Sequence, residues 1–332
     1  MLSRVADALF WMARYYERAE NNARLIDVNM NMMLDMGRTM PEAKSGEGGW
    51  NPIIRMASPF RDFRAIYSKT TSDAAIEWLT FSHQNPNSIA SCIGRARENA
   101  RAMRDVMSSE MWEQINTTYL QLKESSLQTI KKEGEHTYFR RIREASQLFQ
   151  GMVKSTFPHD EAFQWIELGT YLERADATSR LIDVKYYILL PSLDEVGGPI
   201  DQVQWIAVLK SCSAYEAYQR RYVARITPSR VAEFLVLNES FPRSVRFCFD
   251  RVHQSLHSIA AAHGAESGHE IGGAVGPEIV AEKVRDKLSQ TTMIGIVKSG
   301  LHEYMQDLQN ECAHISGKIT ESYFQGALKH LA

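Results

Sequence analysis

The chain has 332 residues, 44% of them hydrophobic and 23% charged, enough to bury a large core in two ordinary domains or one duplicated unit. Its 38 Lys and Arg against 40 Asp and Glu give a net charge of −2, which excludes a general attraction to nucleic acid or anionic lipid. No run reaches the roughly 18 apolar residues of a membrane span, so no membrane partner is expected.

The opening string MLSRVADALFWMARYYERAE carries a charge every few residues, so it is read as helix rather than signal peptide, and a cytoplasmic location is the expectation. Leu2, Val5, Leu9, Met12, Tyr16, Ala19, Ala23, Ile26, Met30 and Met33 step by three and four and predict one long helix over about 3–36. Helical spacing continues through about 52–67, 72–82, 86–125 and 129–155, with Asn85-Pro86 suited to a first helical turn after a break. No convincing period-two strand is found. Counterparts of these segments follow in the second half, whose Gly-rich loop at 262–278 has no equivalent in the first. The loop lacks the Lys and Ser or Thr of a phosphate-binding P-loop. The fold class expected is all-α, an internally duplicated bundle of long helices in two pseudo-equivalent halves.

The duplication shows as near-identical strings. YYERAENNARLIDV begins at Tyr15 and YLERADATSRLIDV at Tyr171, a shift of 156 residues. EWLTFSHQNPNSIASC and EFLVLNESFPRSVRFC, from Glu77 and Glu233, keep that shift. Trp50, Phe60, Phe63 and Tyr67 match Trp205, Tyr215, Tyr218 and Tyr222 at a shift of 155. A looser match joins FRRIREASQLFQGMVKSTF to YMQDLQNECAHISGKITESYF. These matches divide the chain into repeats at 1–155 and 156–332 that pack as one unit.

Within the repeated strings, Glu17, Arg18, Arg24 and Asp27 correspond to Glu173, Arg174, Arg180 and Asp183. Apolar turns flank the charges, which implies partial burial and hence pairing with one another, with another helix or with a ligand. Glu17 with Asn21 or Arg24, and Glu173 with Arg180, lie within reach along one helix face. Two readings stay open. In one, an ion-pair network fixes helix register between the halves. In the other, Arg18, Arg24, Arg174 and Arg180 grip a carboxylate or phosphate while Glu17 and Glu173 orient them or act as general base.

The opening MLSRVADALFWMARYYERAENNARLID, the duplicated Glu-Arg motif and the helical pattern resemble the alpha-E family of bacterial proteins, over essentially the whole chain. That resemblance maps the family's ER motif onto Glu17-Arg18 and Glu173-Arg174. It implies an accessory role in peptide synthesis or modification alongside circularly permuted ATP-grasp ligases, a transglutaminase-like protein and an Ntn-type peptidase. It establishes no catalytic activity, and the expectation leans to a non-enzyme. An enzyme or ligand-binding protein acting on an anionic substrate is the alternative, with a metal-dependent bundle oxidase third. The second copy has Ala177 and Thr178 where the first has Asn21 and Asn22, so two equivalent sites are not expected.

Other candidates are weaker. Glu133/His136 and Glu311/His314 have the spacing of dimetal bundle ligands but occupy unmatched repeat positions, and Glu133 sits in KKEGEH, read as poor in helix. Asp250, His253 and His257 share a helix face without a third ligand, and a solvated face is the reading. No metal or cofactor is therefore expected. Four cysteines without a CxxC pair fit buried thiols, Cys92 and Cys248 at matching positions among them. A subset of the aromatics could anchor a protein partner, and self-association is left open.

Overall fold

The computed structural model describes residues 1–39, 49–187, 198–222, 226–263 and 276–325. Most of the Gly-rich loop at 262–278 lies outside the described residues. Sixteen α-helices and no strand occur among the described residues, as the apolar spacing requires.

The first half runs α1 (Ser3–Thr39), α2 (Asn51–Ala57), α3 (Phe60–Ile66), α4 (Ser72–Thr80), α5 (Ile89–Ala102), α6 (Ser109–Lys123), α7 (Leu127–Glu133) and α8 (Glu135–Ser155). The second runs α9 (Glu161–Tyr187), α10 (Pro199–Ser211), α11 (Tyr215–Arg221), α12 (Pro228–Leu237), α13 (Val245–Ala262), α14 (Pro277–Gln290), α15 (Met293–Ser299) and α16 (Leu301–Ile319). A single π-helical turn, Thr320–Phe324, follows.

The long first helix expected from the heptad-like spacing is present, and three other expected helices are interrupted. The segment 52–67 divides at Ser58-Pro59, where Ser58 is extended and proline cannot donate to a continuing helix. The segment 86–125 becomes α5 and α6. Asn85-Pro86 falls in the turn before α5, and Ser88 supplies the N-cap by accepting from the Ser91 N–H. The segment 129–155 breaks at Gly134, whose φ of 88° suits glycine and few other residues, so KKEGEH holds the end of one helix and the start of the next. Gly300 repeats that device with φ 90° at the start of α16.

Helices α1 and α9 form the centre. They meet in step, Met1 at Glu161, Ala13 at Gly169 and Glu17 at Arg174, so the two run parallel. At the crossing, a Cβ placed on Gly169 would lie 2.4 Å from the Phe10 carbonyl oxygen and 3.1 Å from the Ala13 Cβ, so absence of a side chain sets how closely these backbones approach. Helices α5 and α8 cover α1, while α13 and α16 cover α9. Three further contacts cross over: α10 and the π-helical turn Thr320–Phe324 pack on α1, and α2 on α9. Both central helices are therefore covered on most sides, and α1 is buried beyond its predicted seam, with Glu17, Glu20, Asn21, Arg24 and Asp27 buried as well. Leu2, at the seam's start, is exposed.

Trp50, Trp78, Trp165 and Trp205 are all buried. Phe63 and Tyr67 meet Trp78 edge-on, and Tyr218 and Tyr222 meet Phe234 edge-on, an arrangement that recurs at the aligned positions. All four cysteines are buried. Desolvation pushes the thiols of Cys92 and Cys248 up to about 12 and that of Cys212 to about 11. Native protein is accordingly expected to react slowly with a disulfide reagent at pH 8, with all four thiols becoming titratable in denaturant. A rapid native equivalent would contradict the packing around them.

Candidate functional site

One turn beyond the Ala13–Gly169 crossing, the two Glu-Arg motifs face each other. The Glu17 carboxylate accepts from Arg174 Nη2 at Oε2, 3.0 Å, and Arg174 Nε stands 3.0 Å from Oε1 as an ion pair. The Glu173 carboxylate accepts from Arg18, Nε–Oε1 at 2.6 Å and Nη2–Oε2 at 2.8 Å. Each glutamate thus pairs with the arginine of the other motif, Glu173 through two hydrogen bonds and Glu17 through one hydrogen bond and an ion-pair contact. Pairing lies between helices, whereas the sequence reading placed Glu17 with Arg24 or Asn21 and Glu173 with Arg180 along one helix. The intrahelical partners are different: Arg24 binds Glu20, and Arg180 donates to Asp176 at 2.8 Å, both across a single turn.

Further groups complete each bridge. Glu17 also forms an ion pair with Arg243 of α13's capping turn at 2.9 Å and accepts from Gln150 of α8 at 2.9 Å. Arg243 reaches Glu20 at 2.7 Å, and Ser146 donates to Glu20 at 2.9 Å. On the other side, Arg14 donates to Glu173 at 2.9 Å, and Arg18 reaches the Asn87 side chain at 2.8 Å. Asn22 donates to the Asn87 carbonyl, and Thr178 donates to that of Arg243. These contacts hold the turns before α5 and α13 against the central pair.

Burial alone would raise the carboxyls of Glu173 and Glu20. The guanidinium groups around them prevail and hold both at about 2, Arg18 and Arg14 acting on Glu173, and Arg243 and Arg24 on Glu20. A depressed carboxyl stabilises the fold above its unfolded value of 4.5 and loses that contribution as pH falls toward 2. Urea titrations should therefore show unfolding free energy declining by a few kcal/mol between about pH 4.5 and 2. Constant stability across that interval would contradict the assignment.

Asp27 and Asp183 anchor the far turns of the central helices. Asp27 meets His136 Nδ1 at 2.9 Å and Arg143 at 3.1 Å, both from α8. Asp183 meets His302 Nδ1 at 2.5 Å and Gln309 at 3.4 Å, both from α16. Spacing from Glu133 makes His136 a metal-ligand candidate and leaves His302 unmarked. A signal was present, because GEHTY at 134–138 and GLHEY at 300–304 share Gly-x-His-x-Tyr. The 166-residue shift masked it beside the 156 of the main match. Arg243 was missed for another reason: its counterpart in the aligned string is Asn87.

No group of three or more His, Cys, Asp or Glu side chains converges as a metal site would among the described residues. Glu133 pairs with Arg141, and His253 lies against Arg285. No helix of the described residues is long and apolar enough to cross a membrane.

The two clusters differ in packing. The Glu17 cluster is filled by Arg243, Glu20, Asn21 and Gln150. At the corresponding positions the Glu173 cluster has Asn87, Asp176, Ala177 and Ser316, each a smaller side chain. Beside Glu173 there is accordingly a cleft of about 660 Å³, bounded by α1, α2 and α9 and lined in part by Arg14, Arg18, Arg55 and Arg180.

A family model described as a predicted alpha-helical domain with a conserved ER motif matches residues 1–324. Uncharacterized proteins of Mycobacterium bovis and Mycobacterium tuberculosis are 24% identical to this chain over 282 residues, 79% of it. The chain spans about 30% of the length of these relatives. No solved structure matches. With the match running through nearly every residue, the chain belongs to the Alpha-E family.

Proposed function

We propose that this chain is a non-catalytic accessory or scaffold component of a bacterial peptide synthesis or modification system that works with a circularly permuted ATP-grasp ligase. One observation carries the non-catalytic part. Each Glu-Arg motif is neutralised by the other, and Glu173, held at about 2, is too weak a base to take a proton efficiently at neutral pH. The charges serve to lock two parallel helices in one register, and with them the turns before α5 and α13. The two repeats, 1–155 and 156–332, act in this reading as pseudo-equivalent halves of one unit, supported by the parallel pairings of α1 with α5 and α8 and of α9 with α13 and α16.

The partner assignment rests on the family resemblance, which also names a transglutaminase-like protein and an Ntn-type peptidase. Relatives much longer than the matched segment suit a module that works beside other domains. ATP turnover by the ligase, with amino acids or short peptides as acceptors, tests the reading. Turnover or product yield should rise when this chain is added. Equal turnover with and without it, together with no co-elution of the two proteins, would overturn the assignment.

A further inference from the structure

The cleft beside Glu173 has the features of a ligand site rather than of a packing fault. Its volume of about 660 Å³ lies within the roughly 300–1,000 Å³ range of small-molecule sites. Four arginines line it against two acids, Glu173 and Asp176. Arg14 and Arg18 are committed to Glu173, but Arg55 has no acidic partner among the described residues and stacks on Phe60, 4.3 Å from the ring centre. Arg180 shares its charge with Asp176 and keeps nearly half its side chain exposed. An independent feature points the same way. Asn21 is only 8% exposed, lines the cleft, and has an amide Nδ2 without an acceptor. A buried N–H donor without an acceptor costs on the order of 1–3 kcal/mol, an unmet demand at the cleft's edge.

We propose that this cleft binds the carboxylate of an amino acid or short peptide, with Arg55 and Arg180 as the cations that receive it. Asp176 accepts from the ligand's ammonium or amide N–H. Apolar parts of the ligand meet Leu25, Met56 and Phe60. A zwitterionic ligand suits this wall, because four arginines against two acids receive its carboxylate while Asp176 can accept from its ammonium. The other cluster offers no such room, because Arg243 lies between Glu17 and Glu20 there. One ligand per chain follows.

This inference goes beyond the accessory role and is tested on the full chain alone, so its failure leaves the ligase result untouched, and the reverse holds. Isothermal titration calorimetry with L-glutamate, the dipeptide Gly-Glu, its fully amidated form and inorganic phosphate is the experiment. Saturable binding of Gly-Glu or L-glutamate at one per chain, lost on amidation, is expected. Arg55→Ala and Arg180→Ala should each weaken it by about tenfold or more, as expected for loss of a charged hydrogen bond. Arg61→Ala, which removes an exposed charge outside the cleft, should not. Circular dichroism confirms that the variants fold, which is expected because Arg55 is exposed and Arg180 nearly half so. The proposal is overturned if neither carboxylate binds at millimolar concentration. It is equally overturned if Arg55→Ala and Arg180→Ala leave affinity unchanged, or if phosphate alone binds.

Discussion

Glu173→Gln is expected to destabilise the folded chain by about 3–5 kcal/mol, the usual cost of removing one partner from a buried ion pair. The carboxylate is 3% exposed and accepts from both Arg14 and Arg18. Glutamine keeps the shape and one acceptor oxygen but leaves two guanidinium groups without a counter-charge in a dry interior, a larger penalty than the lost hydrogen bonds. Glu17→Gln should cost somewhat less, because Arg174 is stranded in the same way while Arg243 keeps Glu20. The cycle formed by Arg18→Gln, Glu173→Gln and the double variant should give a coupling energy well above the ~0–1 kcal/mol of a surface pair. Urea unfolding followed by far-UV circular dichroism measures all of these. Single variants within ~0.5 kcal/mol of the parent would mean that the central bridges are solvated in solution and that the locking role fails.

Gly169→Ala tests the same centre from the packing side, and its expected sign is the reverse of helix propensity. In an open helix this change gains up to about 1 kcal/mol. Here the new methyl would meet backbone, the Phe10 carbonyl oxygen at 2.4 Å, which cannot swing aside as a flexible side chain can. Helices α1 and α9 would have to separate, at about 2–3 kcal/mol for overpacking, and both reciprocal bridges one turn away would lengthen. Gly151→Ala and Gly317→Ala supply the control, since an added Cβ meets nothing within 4 Å at either position. Those two should be neutral or slightly stabilising. A Gly169→Ala variant as stable as the parent would show that the crossing is looser than described.

The opening helix was legible because its apolar residues keep a helical step for more than four turns, a pattern that local chemistry enforces. The break at Pro59 was present as a residue type but was read through, and a helix over 129–155 was carried across Gly134 although KKEGEH was read as poor in helix, since apolar spacing continues on both sides of each. Burial of Glu17 and Glu173 followed from apolar neighbours in the next turns. Their partners did not, because a helical wheel offers only partners three or four residues away, and these bridges join residues more than 150 apart in the chain.

By itself, the sequence determined the helical class, the repeated strings and which charges would need compensation. Each of these depends on residue type and on spacing within one element. Tertiary structure alone decided that the two motifs answer each other, that Gly169 rather than a larger residue governs how closely their helices approach, and that Asn87, Asp176, Ala177 and Ser316 leave one cluster open where larger side chains fill the other. Those outcomes depend on which surfaces meet across the α1–α9 crossing, a relation between distant segments that no local periodicity encodes.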